Sequence, residues 1–170
     1  MAQEIKEIVD KVPAEMRWNI ATQASTSTAI ALDGAIQDAL GPEKRKEVLV
    51  KLWSASASGV KLVTDALGLP VATAEEAAKA VTSANTVFFG PELQAEFPEA
   101  SPLKVEARAT GCPFPLRMKE MGISLDCYPV CAAYQEAAYK AVNPKLKVSR
   151  GDKCLNRGDP YCDWTLEMQE

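Results

Sequence analysis

Three observations in this 170-residue chain predict an α+β fold. Apolar residues recur at helical spacing through residues 1–90, period-two alternation replaces that spacing in two later segments, and Gly and Pro punctuate the boundaries. The expected architecture is an N-terminal helical half, 1–90, packed on a small antiparallel sheet with two helices. The C-terminal half, 91–170, should then run strand, helix, helix, strand, strand. The length suits a single domain, 1–170, and 47% apolar with 25% charged residues is the composition of a folded globular chain rather than a disordered one.

The first helix carries Ile5, Ile8, Val9 and Val12 on one stripe, and a second opens after Pro13 and runs to Leu40, where Gly41 and Pro42 stop it. Its small-residue stretch ATQASTSTAIA could be a linker, but alanine content inside a helical pattern favours a tightly packed helix. A third helix from Glu43 carries Val48, Leu49, Leu52, Trp53, Val60, Val63 and Leu67 and ends at Gly68 and Pro70. A fourth opens at Thr73, which stands at capping-box spacing from Glu76. Leu103, Val105, Ala107 and Ala109 then alternate with polar residues as a half-buried strand does. A short helix from Pro113 to Met121 stops at Gly122, and a longer one from Asp126 to Val142 stops at Asn143 and Pro144. A strand at Leu146–Ser149, the GDKCLNRGDPYC turn, and a last strand with Cys162, Trp164, Leu166 and Met168 facing one way complete the chain.

The chain has no histidine, so site chemistry falls to thiols, carboxylates, lysines, tyrosines and backbone amides. With a net charge of −4 and no basic stripe, nucleic acid is excluded as a partner. The N-terminus MAQEIKEIVDKVP has no apolar signal core, and nowhere do about 18 apolar residues run together, so a cytoplasmic protein without a membrane span is expected. All five cysteines lie at or beyond Cys112. In a reducing cytosol they should stay as thiols serving as metal ligands, reactive groups or core residues, and an odd count argues against a closed disulfide framework.

Cys127 and Cys131, four apart, share one edge of the longer helix, and Cys154 and Cys162 bracket a turn. Folding could bring these four thiols to one place, where they could hold zinc or a 4Fe-4S iron–sulfur cluster; the spacings miss the ferredoxin pattern, which favours zinc. The competing reading, four unrelated small core residues, gives no reason for the paired spacings. Cys127 and Cys112 stand at helix starts, where amides and the helix dipole should lower a thiol pKa.

The segments RATGCPFPLRMKEMG, LDCYPVCAAYQEA and CLNRGDPYCDWTL resemble the C-terminal half of the L-2-amino-thiazoline-4-carboxylic acid hydrolase family, over roughly residues 105 to 168. The terminal cysteine pair also resembles that of the 4-vinyl reductase domain, a ligand-sensing module in which cysteines and a glutamate hold zinc. That resemblance implies zinc on Cys131, Cys154 and Cys162. The glutamate expected three residues ahead of the second cysteine is Gly151 here, leaving Asp152 or, as the softer partner, Cys127 for the fourth position. The hydrolase resemblance implies that water opens a sulfur-containing ring, with hydrolysis at a C–N bond of a cyclic amidine. Cys112 and Asp126 are the catalytic candidates, with Cys127 and Asp152 behind them.

Other polar residues have plainer roles: Asp126 also reads as a helix cap, Asp159 as a turn residue, and Arg117, Lys119 and Glu120 as a solvated helix face. Trp18 and Trp53 read as core. Two functions follow: a cytoplasmic small-molecule-binding or accessory domain whose cysteine cluster holds a metal, or a small hydrolase acting on a heterocycle such as 2-amino-thiazoline-4-carboxylate. Either could work as a homodimer or as a subunit of a larger enzyme. Trp53, Val60, Phe88 and Phe89 should border a ligand cavity between the 110–115 turn and the helical half.

Overall fold

A computed structural model describes residues 2–169. Helices α1 (Ala2–Asp10), α2 (Ala14–Leu40), α3 (Pro42–Ser56), α4 (Ser58–Ala66) and α5 (Ala74–Phe89) precede strands β1 (Gln94–Ala100) and β2 (Lys104–Gly111). Helices α6 (Pro113–Glu120) and α7 (Tyr128–Val142) and strands β3 (Leu146–Arg150) and β4 (Cys162–Met168) follow. The α+β class and the helical N-terminal half are as the sequence predicts.

The strands form one antiparallel sheet in the order β1-β2-β4-β3. Alternation sets its faces: Val105, Ala107 and Ala109 of β2 and Cys162, Trp164 and Leu166 of β4 point into the core, in register at Ala107 opposite Trp164. Helices α5 and α7 cover that face, α7 lying also against α3 and α4. The α7 stripe of Val130, Tyr134 and Ala138 is buried there, as its spacing requires. Thr73 and Glu76 form the expected capping box on α5. The small-residue stretch lies inside a continuous α2, where Thr26 donates its hydroxyl to the Thr22 carbonyl at 2.9 Å. At the end of α5, Gly90 (φ +93°) packs so closely on Thr22 that a Cβ would sit 2.6 Å from the threonine Oγ1. Among the described residues no helix is long and apolar enough to cross a membrane.

Four differences from the sequence reading have physical causes. The single helix expected from Glu43 to Leu67 is broken at Ala57, where the Ser56 and Ser58 hydroxyls donate to the carbonyls of Trp53 and Ala55, at 2.9 and 3.0 Å, and tighten the turn. Strand β1 was not foreseen because Pro98 interrupts it; the strand tolerates proline because it is an edge, with its register shifting between Glu96 and Glu99. Helix α7 starts at Tyr128 rather than Asp126, so Cys127 caps it instead of lying in its first turn. Finally, Arg117 is not on a solvated face: it is 8% exposed and pairs with Glu92 and Glu120.

Candidate functional site

The helical half and the cysteine-rich half meet around a cavity of about 110 Å³. This is where the sequence reading placed it, bordered by Cys112, Pro113, Phe114 and Pro115 of the 110–115 turn. Trp53 and Phe89 line it as expected; Val60 and Phe88 are not among the lining residues. Cavities on the order of 150 Å³ bind benzene, so the space suits one small ring. Trp53 from α3, Phe89 from α5, Phe114 from α6 and Tyr134 from α7 form an aromatic wall, with Trp53–Phe114 at 5.5 Å, Trp53–Tyr134 at 5.7 Å and Phe89–Phe114 at 5.3 Å between centroids. The Tyr134 hydroxyl donates to Asn85 Oδ1 at 2.7 Å, which holds that ring in place. Trp53 is thus a cavity wall as much as a core residue.

Four thiols border the space: Cys112, Cys127, Cys131 and Cys162. Cys154 is fully buried and does not line it. Cys127, Cys131 and Gln135, at successive spacings of four along α7, all face the cavity, so the spacing that suggested a metal pair is that of a helix stripe lining a pocket. All five cysteines are free thiols. Among the described residues, no group of three or more Cys, Asp or Glu is arranged to hold a metal ion. At the position where the zinc-binding pattern calls for glutamate, a Cβ on Gly151 would meet the Asp163 carboxylate, which would have to shift to admit a side chain. Among the described residues, nothing in the arrangement supports the four-ligand centre expected from the sequence.

Low thiol pKa values are also not found. Burial pushes Cys112 far up, the neighbouring Cys131 adds to this, and the Phe114 amide at the start of α6 only partly opposes it. Cys127 is raised in the same way, by burial and then by Cys131. Cys131 is pushed up to about 11 by burial, with the Arg150 guanidinium pulling the other way. Cys162 is raised by burial against the pull of the Leu155 amide and Arg150. Desolvation of the thiolate outweighs the helix termini, so these are neutral S–H groups at neutral pH. Two outcomes follow. Iodoacetamide at pH 8 should modify the cavity thiols far more slowly in the folded protein than in urea, and one fast-reacting cavity cysteine in the folded state would contradict this. Because Cys131 keeps its proton to about 11 when folded but releases it near 9 when unfolded, its contribution to stability is intact below pH 9 and is lost as pH rises to 11. Denaturant midpoints measured across that window should fall.

The two catalytic candidates separate. Cys112 caps α6 and lines the cavity, whereas Asp126 is exposed, accepts from the Tyr128 amide at 3.1 Å and pairs with Arg157 at 3.1 Å. Asp126 therefore stands one residue ahead of the N-cap Cys127 and serves the helix start by accepting from its first amide, close to the capping role of the plainer reading. Asp152 is exposed and outside the cavity lining. Asp159 holds its turn, accepting from the Cys154 amide at 2.9 Å.

Sequence reasoning missed the cavity's charged and amide groups. Asp33 and Arg45 line it as a buried ion pair. Arg150 lines it without such a partner, and its Nε and Nη2 atoms, together with Oε1 of Gln135, are buried with no hydrogen-bond partner. Gln135 was within reach of the sequence, continuing the spacing of Cys127 and Cys131. Nothing in the alternation of β3 marked its last residue, Arg150, as turned toward a pocket.

The model of the family described as L-2-amino-thiazoline-4-carboxylic acid hydrolase matches residues 19–166. No curated protein matches the chain. Among solved structures, the fold is similar to trafficking protein particle complex subunit 3 from Naegleria fowleri covalently bound to palmitic acid, with a TM-score of 0.63, 14% identity, and coverage of 89% of this chain and 97% of that one. It is also similar to the phenol-responsive sensory domain of the transcription activator PoxR with phenol, with a TM-score of 0.57, 13% identity, and coverage of 84% and 74%. At these identities the likeness is one of fold.

Proposed function

The chain belongs to the L-2-amino-thiazoline-4-carboxylic acid hydrolase family, and from that premise we propose that it is a small hydrolase opening a sulfur-containing heterocycle of the 2-amino-thiazoline-4-carboxylate kind in the junction cavity. The observation that carries this reading is the ring-sized, aromatic-walled cavity bordered by Cys112. In the reaction, water adds to the amidine carbon, the bond from that carbon to the ring nitrogen breaks, and the nitrogen leaves as an amine with a transferred proton while the carbon becomes a carbonyl. A neutral, desolvated thiol suits proton donation to that leaving nitrogen better than nucleophilic attack, and this is the role given to Cys112. Five free thiols suit a reducing, cytoplasmic setting.

Incubation of the purified protein with 2-amino-thiazoline-4-carboxylate, followed by mass spectrometry for the ring-opened carbamoyl product, tests the reading. Turnover is expected, with kcat lower by about a hundredfold in Cys112→Ala. Absence of product with the unaltered protein would sink it. Binding of a small ring without turnover is the second reading, favoured by the four aromatic rings on one side of the cavity and by the similarity of fold to a sensory domain for phenol. Metal analysis of the same sample decides the zinc and iron–sulfur expectation, since one equivalent per chain would restore a cysteine-ligated centre.

A further inference from the structure

Two cations line the cavity, and they differ in one respect. Arg45 is 4% exposed and is neutralised by Asp33. Arg150 has no carboxylate within ion-pair distance among the described residues. Its Nη1 donates to the Asp163 carbonyl at 3.2 Å, and its guanidinium lies over the rings of Tyr128, at 5.2 Å, and Trp164, at 5.9 Å, which fix its plane. The atoms left over are Nε and Nη2, both buried and met by no oxygen acceptor, with only the weakly accepting Cys162 sulfur beside the guanidinium. These two donors form the edge of a guanidinium that matches a carboxylate with two parallel hydrogen bonds. A buried charged donor pair met by nothing better than a thiol sulfur is costly, which implies that a stronger acceptor arrives with a ligand.

The second orphan has the opposite polarity. Oε1 of Gln135 is an acceptor, buried, unpaired and on the α7 stripe that lines the same cavity. Both residues line the one cavity, whose space suits one ring beside Trp53, Phe89, Phe114 and Tyr134.

We propose that Arg150 and Gln135 are the recognition pair of this cavity, selecting a small planar ring that carries a carboxylate for the Nε/Nη2 edge of Arg150 and an N–H donor for Oε1 of Gln135. This deepens the hydrolase reading and rests on the same cavity, since it names what the substrate must present. Asp33 keeps the anion from binding at Arg45, so Arg150 alone selects for the carboxylate.

The test uses aromatic analogues that resist ring opening, so binding is measured apart from turnover. Calorimetry on the full chain compares 2-aminothiazole-4-carboxylate, its carboxamide, and thiazole-4-carboxylate. The carboxylate should bind at least about tenfold more tightly than the carboxamide, and the amino compound more tightly than the one lacking the amino group. In Arg150→Gln the first preference should fall below about threefold while the second persists; in Gln135→Leu only the second should disappear. Arg150→Lys, which keeps the charge but loses the two-donor edge, should show an intermediate carboxylate preference and covers the case in which Arg150→Gln does not fold. Failure of the carboxylate to bind the unaltered protein, equal affinity for carboxylate and carboxamide, or a preference surviving in a folded Arg150→Gln would each overturn the proposal. Selective binding with no turnover of the thiazoline would sink the hydrolase and leave this pair standing. Turnover with an unchanged KM in Arg150→Gln would do the reverse.

Discussion

Replacing Asp33 by alanine is expected to lower stability by about 3–5 kcal/mol, the cost of leaving a buried charge without its partner. Arg45 is 4% exposed, and both donors on one edge of its guanidinium go to the Asp33 carboxylate, Nη2 to Oδ2 at 2.7 Å. Its remaining Nη1 donates to the Asp126 carbonyl at 3.2 Å. One guanidinium on α3 thus ties α2 to the start of α7, and losing Asp33 leaves it desolvated and charged beside an apolar cavity. The loss comes mainly from the orphaned cation, so the double variant Asp33→Ala with Arg45→Met should recover much of it, because paired removal of a buried ion pair is often close to neutral. Chemical denaturation of the two variants and the unaltered protein decides this. A loss below about 1 kcal/mol in Asp33→Ala would mean that the pair is solvated and behaves as surface pairs do.

The elements legible in the sequence are those in which one pattern acts alone. The capping box at Thr73 and Glu76, the proline-opened and glycine-stopped α6, and the alternation of β2 and β4 each carry a complete local signal, and each appears where expected. The elements that escaped are those in which two signals compete. In α3 and α4 the apolar stripe runs on past Ala57 while serine hydroxyls take up backbone carbonyls, and only packing decides which prevails. In β1 a proline argues against a strand, and only the sheet order shows that the strand lies at an edge.

The site divides in the same way. That four cysteines border one place was legible for Cys127, Cys131 and Cys162, from helix spacing and from the face of β4. Their role was not, because a stripe of thiols lining a pocket and a stripe holding a metal have the same spacing. Cys154 and Cys162 show the difference: both are buried, yet Cys154, at the N-cap of the 3-10 turn Leu155–Arg157, does not line the cavity while Cys162 does. Burial also reversed the pKa argument, since a helix start lowers a thiol pKa only while the thiolate keeps some solvent, and Cys112 and Cys127 have lost it. Arg150 and Gln135 stand out only through individual buried atoms that no oxygen or nitrogen meets, and an unmet hydrogen-bonding atom has no sequence signature.

The aromatic wall joins the cavity to the rest of the fold, so removing its centre should produce the other large effect. Trp53 makes ring contacts with Phe89 at 6.1 Å, Phe114 at 5.5 Å and Tyr134 at 5.7 Å, and thereby joins α3 to α5, α6 and α7. Trp53→Ala should cost about 3 kcal/mol, near the low end for a large aromatic because the indole is only half-buried. The void it leaves would merge with the existing space of about 110 Å³. Added indole should therefore raise the melting temperature of Trp53→Ala by more than it raises that of the unaltered protein, since a ligand that binds only the folded state stabilises it by mass action. Trp53→Phe, which keeps a ring against Phe114 and Tyr134, should retain most of the stability. If Trp53→Ala melts with the unaltered protein and ignores indole, the wall is collapsible or open to solvent, and the four helices are held together by the sheet-facing core instead.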